Sequence, residues 1–144
     1  MASQMSFKDL AEQILKKYPD TSLPMRWKEA TISDPDPKPS AFWVRESNDL
    51  LNIVWLTDSD VRDITWFPDI KVSTLIILRY SAITGFQVRE SIDVGRSHEL
   101  NVSGNYLVSV YSKGEHGGLY WVASNRKEEE ELRDFVAEFA KKFG

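Results

Sequence analysis

The sequence predicts a mainly β protein with added helices, an α+β fold built on a partly open antiparallel barrel of about seven strands. Three observations predict it. Seven short runs rich in Val, Ile, Thr, Trp, Tyr and Phe lie between residues 41 and 123, each bounded by turn residues. Several runs alternate between apolar and polar positions, as a sheet does when one face meets a core and the other meets solvent. The chain then closes on a stretch, Arg126 to Phe143, whose apolar residues recur at helical spacing.

The chain has 144 residues, room for one domain and a short appendage. Proline and glycine divide it. Five of the six prolines fall at Pro19, Pro24, Pro35, Pro37 and Pro39, and all seven glycines lie at Gly85 or later. Residues 1–40 therefore read as an N-terminal helix and a proline-rich connection, and residues 41–144 as the barrel domain with its C-terminal helix. The run Asp34 to Pro39 is extended, because a residue that precedes proline is pushed out of the α region.

The first helix starts at Ser6, a good N-cap with Asp9 three residues on. Phe7, Leu10, Ala11, Ile14, Leu15 and Tyr18 form its apolar stripe, and Pro19 ends it. Two to three turns do not stand alone in water, so the stripe must dock on the barrel or on a neighbouring subunit. After Pro39 come the strand runs Ala41–Glu46, Leu51–Thr57, Asp60–Phe67, Thr74–Tyr80, Gly85–Asp93, Tyr106–Ser112 and Gly118–Ala123. In the first, Phe42 and Val44 face away from Trp43 and Arg45. In the sixth, Tyr106, Val108 and Val110 face away from Leu107, Ser109 and Tyr111. The last helix has Asn125 as N-cap and Glu128 to Glu131 in its first turns, where acids suit the positive end of the helix dipole. Leu132, Phe135, Val136, Phe139, Ala140 and Phe143 make its apolar face.

This plan of seven antiparallel strands and one closing amphipathic helix resembles the pleckstrin-homology-like superfold, in particular its bacterial members. Two stretches carry the resemblance. One is Leu119-Tyr120-Trp121-Val122-Ala123, then Ser124-Asn125 and the acid-started helix. The other is Tyr80 to Phe86, which looks like the segment before a middle strand of those domains. The resemblance covers about residues 41–143 and is one of element order. It implies binding rather than catalysis. Its phosphoinositide site needs clustered cations on the first hairpin, and Phe42 to Leu56 holds only Arg45, beside Glu46 and Asp49.

Charge and composition remove several function classes. The formal net charge is -4, and residues 41–125 carry seven basic and ten acidic side chains. Neither nucleic acid nor a phosphoinositide membrane suits such a surface. No cysteine is present, so disulfides, thiolate metal sites and cysteine nucleophiles are excluded. The longest apolar run, Leu75 to Leu78, is far too short for a membrane span, and no secretory signal opens the chain; the cytoplasm is the expected compartment. The Asn101-Val102-Ser103 sequon reads as chance in that compartment. His98 and His116 read as loop residues rather than zinc ligands, and Gly114 to Gly118 as a hairpin turn. Asp58, Asp60 and Asp63 lack the glycine and late glutamate of a calcium loop. No nucleophile elbow occurs, and Ser97 beside His98 defines no catalytic pair.

No cofactor, metal or catalytic residue is therefore expected. The one unusual feature is an aromatic content of 12%. Tryptophan and tyrosine dominate interface hot spots, so Trp43, Trp55, Trp66, Tyr111 and Tyr120 are the candidate binding patch. Register decides which of them face outward. The function to which these residues point is a non-catalytic interaction module whose partner is another protein or a second copy of the chain. The alternative is a carrier of a small apolar ligand in a cone-shaped α+β fold.

Overall fold

Local sequence signals set the ends of most elements. A computed structural model describes residues 6–90, 106–114, 118–123 and 125–142. Helix α1 spans Phe7–Lys17, and the Asp9 N–H donates to the Ser6 hydroxyl at 3.1 Å. The proline-rich connection that follows holds more regular structure than the sequence predicts. It contains a second helix, α2, over Leu23–Ala30. Pro24 stands in its first turn, where a missing N–H leaves no bond unmade. The Asp34–Pro39 run that follows forms no helix or strand.

Seven strands follow: β1 (Ala41–Glu46), β2 (Leu51–Leu56), β3 (Asp60–Phe67), β4 (Val72–Arg79), β5 (Ile83–Glu90), β6 (Tyr106–Ser112) and β7 (Leu119–Val122). Helix α3 spans Arg126–Lys141, with Asn125 accepting from the Glu128 N–H at 2.9 Å. The strands form two antiparallel sheets, ordered β1-β2-β3-β4 and β5-β6-β7. The fold is mixed α+β and mainly β. By contact the chain divides into two units, Met1–Ile77 and Leu78–Gly144, the division falling within β4.

In the first unit, α1 and α2 lie on one face of the sheet. Phe7, Ile14, Leu23 and Ala30 pack with Leu51, Ile53 and Trp55 of β2 and Ile64 and Trp66 of β3. The Phe7 ring sits 5.0 Å from Phe42, 5.2 Å from Trp55 and 5.5 Å from Trp27. At the far end of α1, Lys17 Nζ and the Tyr18 hydroxyl both donate to Glu46 Oε2, at 2.6 and 2.9 Å. The Lys17 bond holds the Glu46 carboxyl below its ordinary range. Burial, helped by the bond to Glu46, raises the Tyr18 hydroxyl. Directional bonds fix α2: Arg26 Nε donates to Ser73 O at 3.1 Å, and the Ser22 and Ser73 hydroxyls meet at 2.6 Å.

Phe7→Ala removes the ring on which three others rest. Buried Phe→Ala changes cost about 3–5 kcal/mol. The variant should lose stability in that range by chemical denaturation, and trypsin should cut it faster at Lys16 and Lys17. An unchanged cleavage rate would mean that α1 is not held by this contact.

In the second unit, α3 covers one face of β5–β7. Leu132, Phe135, Val136 and Phe139 are buried on the helix, and Tyr106, Val108, Val110, Leu119 and Trp121 on the strands. Trp121 meets Phe135 at 5.3 Å and Phe139 at 5.7 Å, both edge-on, and Phe86 meets Phe139 at 5.2 Å. Arg133 lies 4.3 Å over the Tyr106 ring and pairs with Glu90 at 2.6 Å and Glu129 at 3.2 Å. The Arg133 bond lowers the Glu90 carboxyl below its ordinary value.

Candidate interaction surface

Burial separates the five aromatic residues that the sequence singles out. Trp43, Trp55 and Trp66 are 1%, 0% and 2% exposed, so none of them belongs to a surface patch. Trp55 and Trp66 stand on the sheet face beneath α1 and α2. Trp43 stands on the opposite face, paired with Val54 and, through it, aligned with Asp63. For Trp55 and Trp66 the reason is the second helix: α1 and α2 together cover a sheet face that a shorter appendage would leave open. Both indole Nε1–H groups of Trp55 and Trp66 are buried without a hydrogen-bond partner.

Tyr111 and Tyr120 remain, 45% and 62% exposed. Register places them together. Residues paired across an antiparallel ladder share a face, and three rows define the outer face of β5–β7. Arg89 pairs with Leu107, which pairs with Val122. Gln87 pairs with Ser109, which pairs with Tyr120. Gly85 pairs with Tyr111. Tyr111 and Tyr120 are thus diagonal neighbours on adjacent strands, about 7–8 Å apart by sheet geometry. The Tyr111 hydroxyl donates to Gln87 Oε1 at 3.0 Å, which restrains its ring. Leu107 and Val122, half-buried in the neighbouring row, add apolar surface to the face.

Gly118 shapes the start of β7 beside this face. Its φ is +110°, a region that side chains rarely adopt, and a Cβ there would stand 1.7 Å from the Val110 carbonyl oxygen. Gly118→Ala must therefore move the β6–β7 pairing. Backbone strain alone costs on the order of 1–3 kcal/mol at such positions. The expected result is a loss of at least that size in a urea melt. A wild-type midpoint would show that β7 does not depend on this approach.

The outer face also holds residues that sequence reasoning missed: Gln87, Arg89 and, one step past β6, Lys113. Lys113 continues the Leu107–Ser109–Tyr111 alternation, and its N–H donates to Ala82 O at 3.0 Å. Alternation alone shows only that Lys113 shares a parity with Tyr111, and Gln87 with Arg89. Only the register of three strands shows that they share a face.

The other candidates have structural roles or lie outside the description. Asp60 pairs with Arg62 at 2.9 Å, and Asp63 accepts from Asn52 Nδ2 at 2.8 Å and from the Thr65 hydroxyl at 3.1 Å. Among the described residues no three His, Cys, Asp or Glu side chains group as metal ligands. His98, His116, Ser97, Phe143 and the Asn101 sequon lie outside the described residues. Arg45 is paired in register with Asn52. A hollow of about 350 Å³ along α1 is lined by Asp9, Glu12, Gln13 and Lys16, charged chemistry unsuited to an apolar ligand. No helix among the described residues is long and apolar enough to cross a membrane.

Comparison with protein-family models, with characterised proteins and with solved structures finds no match to this chain. Any reading of its function therefore rests on its own residues.

Proposed function

We propose that this chain is a non-catalytic interaction module that takes a protein partner, another protein or a second copy, on the outer face of β5–β7. The observation that carries the reading is Tyr111 and Tyr120, exposed as diagonal neighbours on a face that also carries half-buried Leu107 and Val122. Exposed tyrosines beside apolar side chains are the composition of an interface centre. A tyrosine loses little entropy on binding and offers both a ring and a hydroxyl. The pleckstrin-homology-like reading belongs to the same proposal. It is supported by the order of four strands, three strands and a closing helix, and binding is the activity it implies. The charge pattern supports a partner other than a phosphoinositide membrane, because Arg45 stands with Glu46 and Asp49 on the first hairpin.

The test compares the wild-type chain with the Tyr111→Ser/Tyr120→Ser double variant. Exposed changes of this kind move stability by about 0.5 kcal/mol or less, so the fold persists. Native mass spectrometry and affinity capture should show a subunit multiple or a bound protein with the wild type and its loss with the variant. The reading fails if the assembly or captured protein is the same for both, or if the wild type instead retains a stoichiometric small apolar molecule.

A further inference from the structure

Resting on that reading of the tyrosine face, we propose that its partner is an extended peptide segment with two acidic side chains about six residues apart and proline or apolar residues between them. The charges of the face carry this. Its three rows contain no acid and one cation, Arg89, at one end; a second cation, Lys113, follows one step past the other end of β6. Arg89 lies in the row of Leu107 and Val122. Lys113 lies six residues beyond Leu107 along the same chain. At about 3.4 Å per residue, the two positions are about 20 Å apart. Both residues are exposed. Neither has an ion-pair partner among the described residues, whereas Arg133, associated with the α3 side, has two.

Between the cations stand Tyr120 and Tyr111, with Leu107 and Val122 in the row of Arg89 beside them. An extended segment advances about 3.1–3.4 Å per residue, so acids six positions apart meet both cations at once. Proline suits the middle because it is already extended and packs flat on tyrosine rings. A nucleic acid suits the face less well. Its phosphates recur every few ångströms and need cations along the whole groove, while this face has none between its ends. The chain's net charge of -4 opposes a polyanion as well.

The test is fluorescence polarisation with the full chain and a labelled seven-residue probe, an aspartate at each end and Pro-Pro-Leu-Pro-Pro between. Saturable binding that weakens with salt is expected. Exposed charge pairs contribute modestly, so Arg89→Ala and Lys113→Ala should each weaken binding about two- to fivefold, as should replacing either probe aspartate with asparagine. Moving the two aspartates next to each other should weaken it similarly. Tyr120→Ser should weaken it more than either charge variant. Equal binding of the uncharged probe, or tighter binding of oligo(dT) than of the peptide, overturns the proposal. If the charge variants have no effect but the double tyrosine variant still loses its captured partner, the surface stands and the acidic partner falls. If neither set matters, both fall.

Discussion

Phe139→Ala is expected to destabilise the chain by about 3–5 kcal/mol, the range for deleting a fully buried aromatic ring. Phe139 is 0% exposed and meets both Trp121 and Phe86 edge-on. Its loss leaves a cavity between α3 and the sheet that the strand ladder keeps from collapsing, because β6 is paired on both sides. Urea denaturation measures the effect, with Tyr120→Ala as the control. Tyr120 lies on the opposite face and should change stability by about 0.5 kcal/mol or less. Similar midpoints for the two variants would mean that α3 does not close the core.

Removing the Arg62 guanidinium should have an effect of the same size. Its side chain is largely buried beside Asp60, with 14% and 8% of the two side chains exposed. Arg62 Nε donates to Asp60 Oδ1 at 2.9 Å, and Nη1 donates to the Ala30 carbonyl at the end of α2. One side chain thus balances a buried carboxylate and a helix terminus. Breaking such a pair by removing one partner costs about 3–5 kcal/mol, because the remaining charge is buried unpaired. Arg62→Met keeps the volume and removes the charge, so its loss reports the pair. Arg62→Lys should rescue only in part, since an ammonium lacks the fork that reaches both acceptors.

The same pair predicts a pH dependence. Burial pushes the Asp60 carboxyl up, but hydrogen bonds from Arg62, Thr57 and Ser59 outweigh it and hold the group below its ordinary value. A depressed carboxyl stabilises the fold above the ordinary carboxylate range, and that stability is lost as pH falls through the depressed value. The gap between wild type and Arg62→Met should therefore be full at neutral pH and close below about pH 4. A gap that stays constant down to pH 2 would show that the effect is packing rather than charge.

How far each feature was legible depended on the range of the interaction that makes it. The Ser6 and Asn125 caps, the stripe of α1 and the buried face of α3 follow from residues within a few positions of each other, and they stand where the spacing puts them. Strand β3 and the alternation of β6 were legible for the same reason. Helix α2 was not. Pro24 ends a helix that precedes it and starts one that follows, and the residue alone does not distinguish the two. Its support comes from Ser73 and Arg62, some 30 to 50 positions away.

The tyrosine face of β5–β7 was legible only in part, for a sharper reason. A strand's parity divides its residues into two faces, but which face meets solvent depends on what covers the sheet. Sequence placed Tyr111 opposite Val110 and Trp43 opposite Val44. It did not reveal that α1 and α2 lie over Trp55 and Trp66, or that α3 covers Trp121 and leaves Tyr120 exposed. Nor did it bring Arg89, Tyr120 and Lys113 to one surface, which needs the register of β5, β6 and β7. By itself the sequence determined the mainly β α+β class, the ends of α1 and α3 and the periodicity of the strands, because caps, turns and periodicity are local. Only the tertiary structure decided which aromatic rings are core and which are surface, because burial depends on elements that are distant in the chain.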